Sequence, residues 1–394
     1  MIINRGHKYR IYPTDEQKEI LLRMFGCARK CWNHFLNERN EQYKEWKNLC
    51  SLAEQANQEK PSKPSEGWIT YNRQQNSLPQ LKKQSEFEWL NVCPSQTYQR
   101  VLRDLDNAFS QFLKKKKGHP QFHKFKRRQS FSVSQQITIV SKNHIKCANI
   151  KEPIRFVKTD KLPCRVKVCS ATISCDGYPK SKGTQFYVSF NTEETYQPRF
   201  NHTSKEVGID LGLIDKIVTS DGQKFKSIKF HKKLAKKLRK ADQHLSRKRK
   251  YDKETKTPSS KRYETQASKR QRLFTKLSNC RKDYNHKLSK YIVENYDVVK
   301  MEKLNIKNML RNHHLASSIA NECWYQLQTY IKYKCEWGGK TFNTGNPRNT
   351  SKTCSNCGYI LNKKMSLATR RWMCPKCGSI LDRDVNASIN ILVG

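Results

Sequence analysis

Four cysteines near the C-terminus have the spacing of a metal site. They form two CxxC pairs on either side of residues 358 to 373, and they are Cys354, Cys357, Cys374 and Cys377. Four thiolates at this spacing bind Zn²⁺ tetrahedrally, and four protein ligands close the site to a substrate, so we predict a structural zinc ion. A redox pair is the alternative. Gly358 and Gly378 directly follow the second cysteine of each pair, and they favour the tight turns of zinc knuckles.

Three carboxylates lie at the ends of predicted elements in the C-terminal half. Asp210 interrupts the apolar strand VGIDLGL, Glu302 follows the strand-like segment 296 to 301, and Asp384 lies where a turn leads into a helix. A carboxylate in a buried strand is costly unless it is paired or binds a cation. If the three converge, their oxygens suit Mg²⁺, and two such ions can activate water and stabilise a leaving phosphate oxygen. Asp382 is either a helper of this group or the first residue of the turn.

The net charge limits the class of protein. The 394 residues contain 78 Lys and Arg against 34 Asp and Glu, a formal net charge of +44. A solvated basic surface would explain only a modest excess, so nucleic acid is the expected polyanionic partner. An acidic membrane surface is a weaker alternative, because no apolar run approaches the ~20 residues of a transmembrane helix. The N-terminus has no apolar stretch of the signal-peptide type, so, if the source is prokaryotic, we expect a cytoplasmic protein associated with the nucleoid.

The other cysteines predict a reducing compartment. The total of 15 is odd, and outside the two CxxC pairs the spacing shows no disulfide framework. A second metal site is conceivable at Cys147, Cys164, Cys169 and Cys175. These four have no CxxC pair and lie among strand-like residues, so we predict small buried hydrophobic side chains instead.

The N-terminal part begins with predicted helices. Apolar residues recur at helical spacing in 14–48 and 96–117, and Thr14 with Gln17 forms a capping box at the start of the first segment. The polar stretch 50–85 contains prolines and is predicted to be a loop or an insertion.

A basic stretch rich in aromatic residues follows the second helix. In KKKKGHPQFHKFKRRQSFSV, residues 114 to 133, cations alternate with phenylalanine and histidine. Lysine and arginine contact phosphates and flat rings stack on unpaired bases, so this stretch predicts a nucleic-acid face, with a solvated charge run as the alternative. Runs of β-branched residues in 130–195 then predict strands in a small barrel or sheet.

The C-terminal part begins at VGIDLGL, after a polar linker. This strand and residues 216–220 predict an antiparallel hairpin that carries Asp210. Residues 228–292 are strongly basic and predict two long helices around the loop SRKRKYDKETKTPSSKR. Any single lysine there is equally consistent with a solvated helix face.

These motifs resemble those of the TnpB (OrfB) proteins of IS200-type insertion elements. The similar blocks are YPTDEQKEILLRMFGCARKCWNHFL, GIDLGL, MEKLNIKNM with NHHLASSIANECWYQL, TSKTCSNCG, and CPKCG with DRDVNASINI. They occur in the family's order and cover the N-terminal 40 residues and most of 207–394, whereas 41–200 matches loosely. TnpB proteins resemble type V CRISPR effectors and the eukaryotic Fanzor proteins. They are RNA-guided endonucleases with a RuvC nuclease domain of RNase H fold.

The resemblance implies a multidomain α/β fold and a role for each candidate residue. Asp210, Glu302 and Asp384 correspond to the three RuvC carboxylates that hold two catalytic Mg²⁺ ions. The four cysteines correspond to a zinc module that binds the target nucleic acid. The implied domains are a wedge β-barrel (1–10 and 126–200), a helical recognition lobe (11–125), the RuvC nuclease (201–350 and 379–394) and an inserted zinc ribbon (351–378).

The same resemblance implies the partners. They are a transposon-encoded guide RNA and double-stranded DNA beside a short flanking motif, bound by a chain that we expect to be a monomer. Base pairing with the guide would supply sequence specificity, and the protein would read shape and the flanking motif. Two other functions stay open: an RNA-guided repressor that binds without cutting, and a transposase that joins strands at the same kind of site.

Overall fold

The computed structural model describes residues 2–59, 61, 68–124, 128–134, 137–147, 149–157, 167–176, 184–196, 200–248, 260–362, 365–366 and 369–394. The chain divides into two units, one of Ile2–Glu194 and Tyr251–Ser268, the other of Thr195–Lys250 and Lys269–Gly394. Both units combine helices with a sheet, as the predicted α/β class requires. Within the described ranges, no helix has the length and apolar content needed to cross a membrane.

A β-sheet forms one layer of the first unit. Its strands are β1 (Ile2–Tyr12), β2 (Arg128–Val133), β3 (Ile137–Ser141), β4 (His144–Cys147), β5 (Ile154–Val157), β6 (Lys167–Asp176) and β7 (Gln185–Thr195). Their order is β2-β6-β7-β1-β5-β4-β3, and β1 pairs with β5 in antiparallel register. The strands predicted in 130–195 are therefore confirmed.

Helices form the other layer of this unit: α1 (Asp15–Gln55), α2 (Tyr71–Leu81), a 3₁₀ segment (Ser85–Asn91) and α3 (Ser95–Leu113). The capping box is confirmed, since the amide of Gln17 donates to Thr14 Oγ1 at 3.3 Å and the amide of Thr14 donates to Gln17 Oε1 at 3.1 Å. Reading all of 50–85 as a loop was wrong. Thr70 caps α2, and the buried side chains of Gln74 and Leu78 hold that helix in place.

The second predicted helix ends earlier than its periodicity suggested. α3 stops at Leu113, and Lys115 has a left-handed backbone with φ of 53°. A run of lysines has no apolar side chain to pack, so nothing offsets the mutual repulsion that continued helix would impose. The cations from Lys114 onward therefore lie in a turn, and residues 125 to 127 of the basic stretch lie outside the described residues.

The apolar stripe of α1 packs on α3 and β2. Its members Leu21, Met24 and Phe25 are buried in one cluster with Phe131 of β2, and the rings of Phe25 and Phe131 lie 5.3 Å apart. Burying a side chain of this size stabilises a fold by about 1.5–3 kcal/mol. The stripe therefore fixes how the helical layer covers the sheet.

The isolated cysteines behave as hydrophobic side chains. Cys147 and Cys175 belong to the core of the first unit, and burial raises the pKa of their thiols to about 12 and about 11. Cys169 is half-buried, and Cys164 lies outside the described residues. The prediction of buried apolar roles is thus confirmed for Cys147 and Cys175.

A mixed sheet forms the centre of the second unit. Its strands are β8 (Glu206–Asp210), β9 (Asp215–Thr219), β10 (Lys224–Lys226), β11 (Val298–Glu302) and β12 (Thr341–Gly345), in the order β10-β9-β8-β11-β12. β8, β9 and β10 are antiparallel, which confirms the predicted hairpin, whereas β11 runs parallel to both β8 and β12.

Helices and the small segment that carries the four cysteines follow β10 in the chain. They are α4 (Phe230–Arg247), α5 (Lys261–Asn295), α6 (Ile306–Met309), α7 (His313–Glu322), α8 (Trp324–Gly338), β13 (Arg371–Met373), β14 (Ile380–Asp382) and α9 (Arg383–Val393). Residues 261–268 of α5 belong to the first unit. The predicted pair of basic helices corresponds to α4 and α5. Residues 249 to 259 of the loop between them lie outside the described residues.

The last helix lies directly on the central strand at Gly208. A Cβ atom at this position would overlap the carbonyl oxygen of Ser388 and lie 2.8 Å from the amide nitrogen of Leu392. Only glycine lets the backbone of α9 approach β8 this closely. The small residue in VGIDLGL is therefore required by the packing of the C-terminal helix.

We expect Gly208→Ala to lower the free energy of unfolding by about 1–3 kcal/mol, since the added methyl must displace the backbone of α9. Gly6→Ala is the matched control, because a Cβ at Gly6 in β1 meets nothing within 4 Å. Denaturant unfolding of both variants measures the difference. Equal stability of the two would contradict the close approach.

Candidate active site and zinc centre

Two of the predicted acids are neighbours at one edge of the central sheet. In the parallel register of β8 and β11, Ile209 pairs with Met301, and Asp210 and Glu302 are the next residues of the two strands. The amide of Leu211 donates to Glu302 Oε1 at 3.3 Å, which joins the two strand ends. The carboxyl ends of parallel strands thus bring together Asp210 and Glu302, which lie 92 positions apart in the sequence.

The electrostatics of this pair are those of buried, mutually repelling carboxylates. Burial raises the pKa of Asp210 to about 7, and repulsion from Asp384 adds to the effect. Burial also raises the pKa of Glu302 to about 8, with repulsion from Asp210 as the second cause. Desolvation and like charges both disfavour ionisation, so the pair favours bound protons or a bound cation.

The third acid reaches the same edge from α9. Asp210 lies two residues beyond Gly208 on β8, and Asp384 lies one turn before Ser388 on α9. Asp382 caps the helix, accepting from the amides of Asp384 and Val385. Its role at the turn is therefore structural.

Two acids at this edge are paired with basic side chains of the chain itself. Asp384 Oδ2 lies 3.1 Å from Arg370 Nη1, and Asp382 Oδ2 accepts from Lys224 Nζ at 2.6 Å. Among the described residues, the four cysteines form the one group of three or more candidate ligands whose ligand atoms all lie within 4.8 Å of one another. A cation at this edge would have to compete with Arg370 for Asp384.

The four cysteines converge as predicted. The Sγ atoms of Cys354 and Cys377 lie 3.7 Å apart, and those of Cys357 and Cys374 lie 3.5 Å apart. Four sulfurs at about 2.3 Å from a tetrahedral zinc ion would have nearly this separation. The donor set and its geometry fit Zn²⁺.

The two halves of the zinc centre repeat one backbone pattern. The amides of Gly358 and Gly378 donate to the carbonyls of Cys354 and Cys374, each at 2.9 Å. Both glycines are left-handed, with φ of 72° and 70°. The predicted need for a residue that tolerates positive φ is confirmed at both turns.

Two asparagines that the sequence reasoning missed connect the zinc centre to α9. Asn386 is 1% exposed and accepts from the amide of Ser355 at 2.8 Å, and its own amide donates to the carbonyl of Thr353 at 2.7 Å. Asn390, one turn later, also donates to the Thr353 carbonyl at 2.7 Å. Their spacing of four residues, which places both on one face of α9, was the available signal. They attach the first knuckle to the helix that carries Asp384.

Family models match along most of the chain. Residues 1–48 match the family described as "Helix-turn-helix domain" and residues 188–313 match "Probable transposase". Residues 324–391, which contain the zinc centre and most of α9, match "Cas12f1-like, TNB domain".

Full-length relatives agree with these matches. A protein of Streptomyces pristinaespiralis, named as a candidate RNA-guided DNA endonuclease, is 30% identical over 99% of this chain and 89% of its own length. The chain belongs to the TnpB family. InsQ of Escherichia coli K12, named in the same way, is 26% identical over 98% of this chain and 91% of its own length. A TnpB-like protein of Acanthamoeba polyphaga mimivirus is 24% identical over 98% of this chain and 72% of its own length. The family is related to type V CRISPR effectors.

The raised pKa values make a prediction about stability without divalent metal. A carboxyl group whose folded pKa lies above its unfolded value favours folding most at low pH, and that contribution is lost as pH rises through the folded pKa. The ordinary pKa of an aspartate such as Asp210 is 3.8, and its pKa in the folded protein is about 7. We therefore expect Asp210→Asn to melt several degrees above the parent at pH 8, with a smaller difference at pH 5.5.

Asp221→Asn is the control for that measurement. Hydrogen bonds from Thr219, Tyr296 and Gln223 lower the pKa of Asp221, so its ionised form stabilises the fold at pH 8. We expect this variant to melt below the parent at pH 8. If both variants shift the melting temperature in the same direction at pH 8, the environments assigned to Asp210 and Asp221 are wrong.

The asparagine contacts make a second prediction. Asn386→Ala leaves a buried amide and carbonyl without their partner, so we expect a loss of about 1–3 kcal/mol and faster amide hydrogen exchange at Ser355. Asn356→Ala is the control. Asn356 lies on the same knuckle but is exposed, and donates to Ser379 Oγ at 3.0 Å. Zinc content stays at one ion per chain in both variants if Asn386 acts by attaching the knuckle to α9.

Proposed function

We propose that this TnpB-family chain is an RNA-guided, Mg²⁺-dependent DNA endonuclease. The single observation that carries the proposal is the pair Asp210 and Glu302, side by side on parallel strands, with Asp384 on the helix packed against them. The names of the Streptomyces and Escherichia relatives support the same activity.

The second unit is proposed to be a RuvC nuclease of RNase H fold, formed by 201–350 and 379–394 with the zinc ribbon 351–378 inserted. The mixed sheet supports this assignment, because its parallel strands β8 and β11 bring Asp210 and Glu302 to the same end of the sheet. The remaining proposed domains are the recognition lobe at 11–125 and the wedge barrel at 1–10 and 126–200.

The acids at the sheet edge fit a hard divalent cation. Their carboxylate oxygens are the ligands that Mg²⁺ prefers, and burial with mutual repulsion gives Asp210 and Glu302 a reason to bind positive charge. When bound, two Mg²⁺ ions would activate a water molecule and stabilise the leaving oxygen of the scissile phosphate. Asp210 and Glu302 would hold the cations from the strands, and Asp384 would exchange Arg370 for the metal.

The proposed partners are a guide RNA and double-stranded DNA. A net charge of +44 favours a large polyanionic partner such as a nucleic acid. The basic helices α4 and α5 offer long cationic surfaces for it. Sequence would be read by base pairing with the guide, and the protein would read shape and a short flanking motif. Binding should therefore weaken steeply with salt.

Cleavage by the RNA-loaded protein tests the nuclease. We expect Asp210→Ala to reduce cutting of a matched DNA target by at least a hundredfold, with binding of guide and target retained, because a metal ligand is lost. Asp242→Ala, which removes an acid of α4 that pairs with Arg270, should cut like the parent. Cutting must also require added Mg²⁺. Normal cutting by Asp210→Ala would overturn the assignment.

Two alternative functions have separate readouts. A repressor would bind the target in the presence of Mg²⁺ and leave it intact, and a transposase would join strands and purify without a defined RNA. Sequencing the RNA that copurifies with the protein, together with the cleavage assay, separates all three. The buried acidic pair favours catalysis over pure binding, because two buried carboxylates lower the stability of the fold unless they bind a cation.

A further inference from the structure

A cavity in the first unit lies far in sequence from the acids and the zinc centre. It has a volume of about 400 Å³ and lies between α1, α3, β2 and residues 121–124. This volume is within the range of small-molecule sites, about 300–1,000 Å³. Neither the proposed nuclease chemistry nor the zinc centre uses it.

The inner wall of the cavity is apolar and partly aromatic. Phe25 and Ala28 come from α1, Val101 from α3 and Phe131 from β2. The rings of Phe25 and Phe131 are tilted by 57°. An apolar wall of this kind suits the flat face of a heterocycle.

The mouth of the cavity is cationic and polar. Three cations line it, Arg29, Arg100 and Lys124, against one carboxylate, Asp104, which already lies 3.1 Å from Arg100 Nε. Gln129, also in the lining, accepts from Arg29 Nη1 at 2.8 Å. Amide and hydroxyl groups beside an excess of cations over carboxylates suit a ring with a polar edge that is joined to a phosphate.

Residues 121–124 are held against α1 by a set of specific contacts. Asn33 Nδ2 donates to the carbonyl of His123 at 3.0 Å, and the amide of His123 donates to Asn33 Oδ1 at 2.7 Å. The ring of His123 stacks on Trp32 at 4.3 Å with an angle of 6°. These contacts keep Lys124 and the aromatic pair at the cavity, so this part of the basic stretch is a built surface.

We propose that this cavity binds one unpaired nucleotide, with the base against the apolar wall and the phosphate at the cationic mouth. A paired base is excluded, because its edge is occupied and its faces are stacked in the duplex. The source is a single-stranded part of the guide RNA or of the opened DNA, and the two share this chemistry. The proposal does not rest on the nuclease site.

Photocrosslinking of the full-length chain tests it. The probes are short single strands of one sequence that carry 4-thiouridine in RNA or 4-thiothymidine in DNA, added to protein freed of nucleic acid by high salt, without Mg²⁺. Mass spectrometry should find the adduct on peptides that contain Trp32 or Phe131. Crosslinks elsewhere, with none at the cavity, would overturn the proposal. An adduct with RNA alone identifies the guide as the source, and one with DNA alone identifies the target.

Variants test whether the cavity itself, and not the general positive charge of the surface, binds the probe. Ala28→Leu fills the apolar wall and should lower the yield of this adduct about tenfold, the scale of a lost base contact. Lys124→Gln at the mouth should lower it several-fold, whereas Lys47→Gln, an exposed cation of α1 outside both the lining and the basic stretch, should not. If a thermal melt shows that Ala28→Leu is unfolded, the two lysine variants decide. Equal yields for those two would contradict the site.

Because these measurements use no Mg²⁺ and no cleavage, failure of the nuclease proposal leaves their result unaffected.

Discussion

The contact between Gly208 and the backbone of α9 is the constraint on which the second unit depends. A side chain there would push the last helix away from β8, and with it the residue at its first turn, Asp384. The same approach sets the environment of Asp210, whose pKa rises by burial and by repulsion from Asp384. The absence of a side chain at Gly208 thus sets the distance between α9 and β8, and with it the distance between Asp384 and Asp210.

The acidic edge carries an electrostatic cost that the rest of the unit offsets. Asp210 and Glu302 lie at the ends of strands whose neighbours Val207, Ile209 and Val299 are fully buried. The apolar sheet supplies the rigidity that holds two repelling groups together, and Arg370 partly neutralises the third. Stability and cation binding are opposed here, because each feature that disfavours the free carboxylates favours a bound metal.

Helix α9 connects the two chemical centres of this unit. Its N-terminus carries Asp384 and Asp382, and its buried asparagine Asn386 holds the first zinc knuckle by three hydrogen bonds. A zinc ion held by the four cysteines would be linked through these hydrogen bonds to the helix that carries Asp384.

Features that depend on local spacing and residue type could be predicted from the order of the amino acids. The capping box at Thr14, the left-handed glycines at Gly358 and Gly378 and the zinc ligands were all predicted, because a few neighbouring residues specify each of them. Features that depend on contacts between distant residues became visible only in the folded chain. It showed that α2 forms around buried Gln74, that Asn386 holds the knuckle, and that Arg370 lies against Asp384. Local rules omit these partners, because packing brings them together only after the elements have formed.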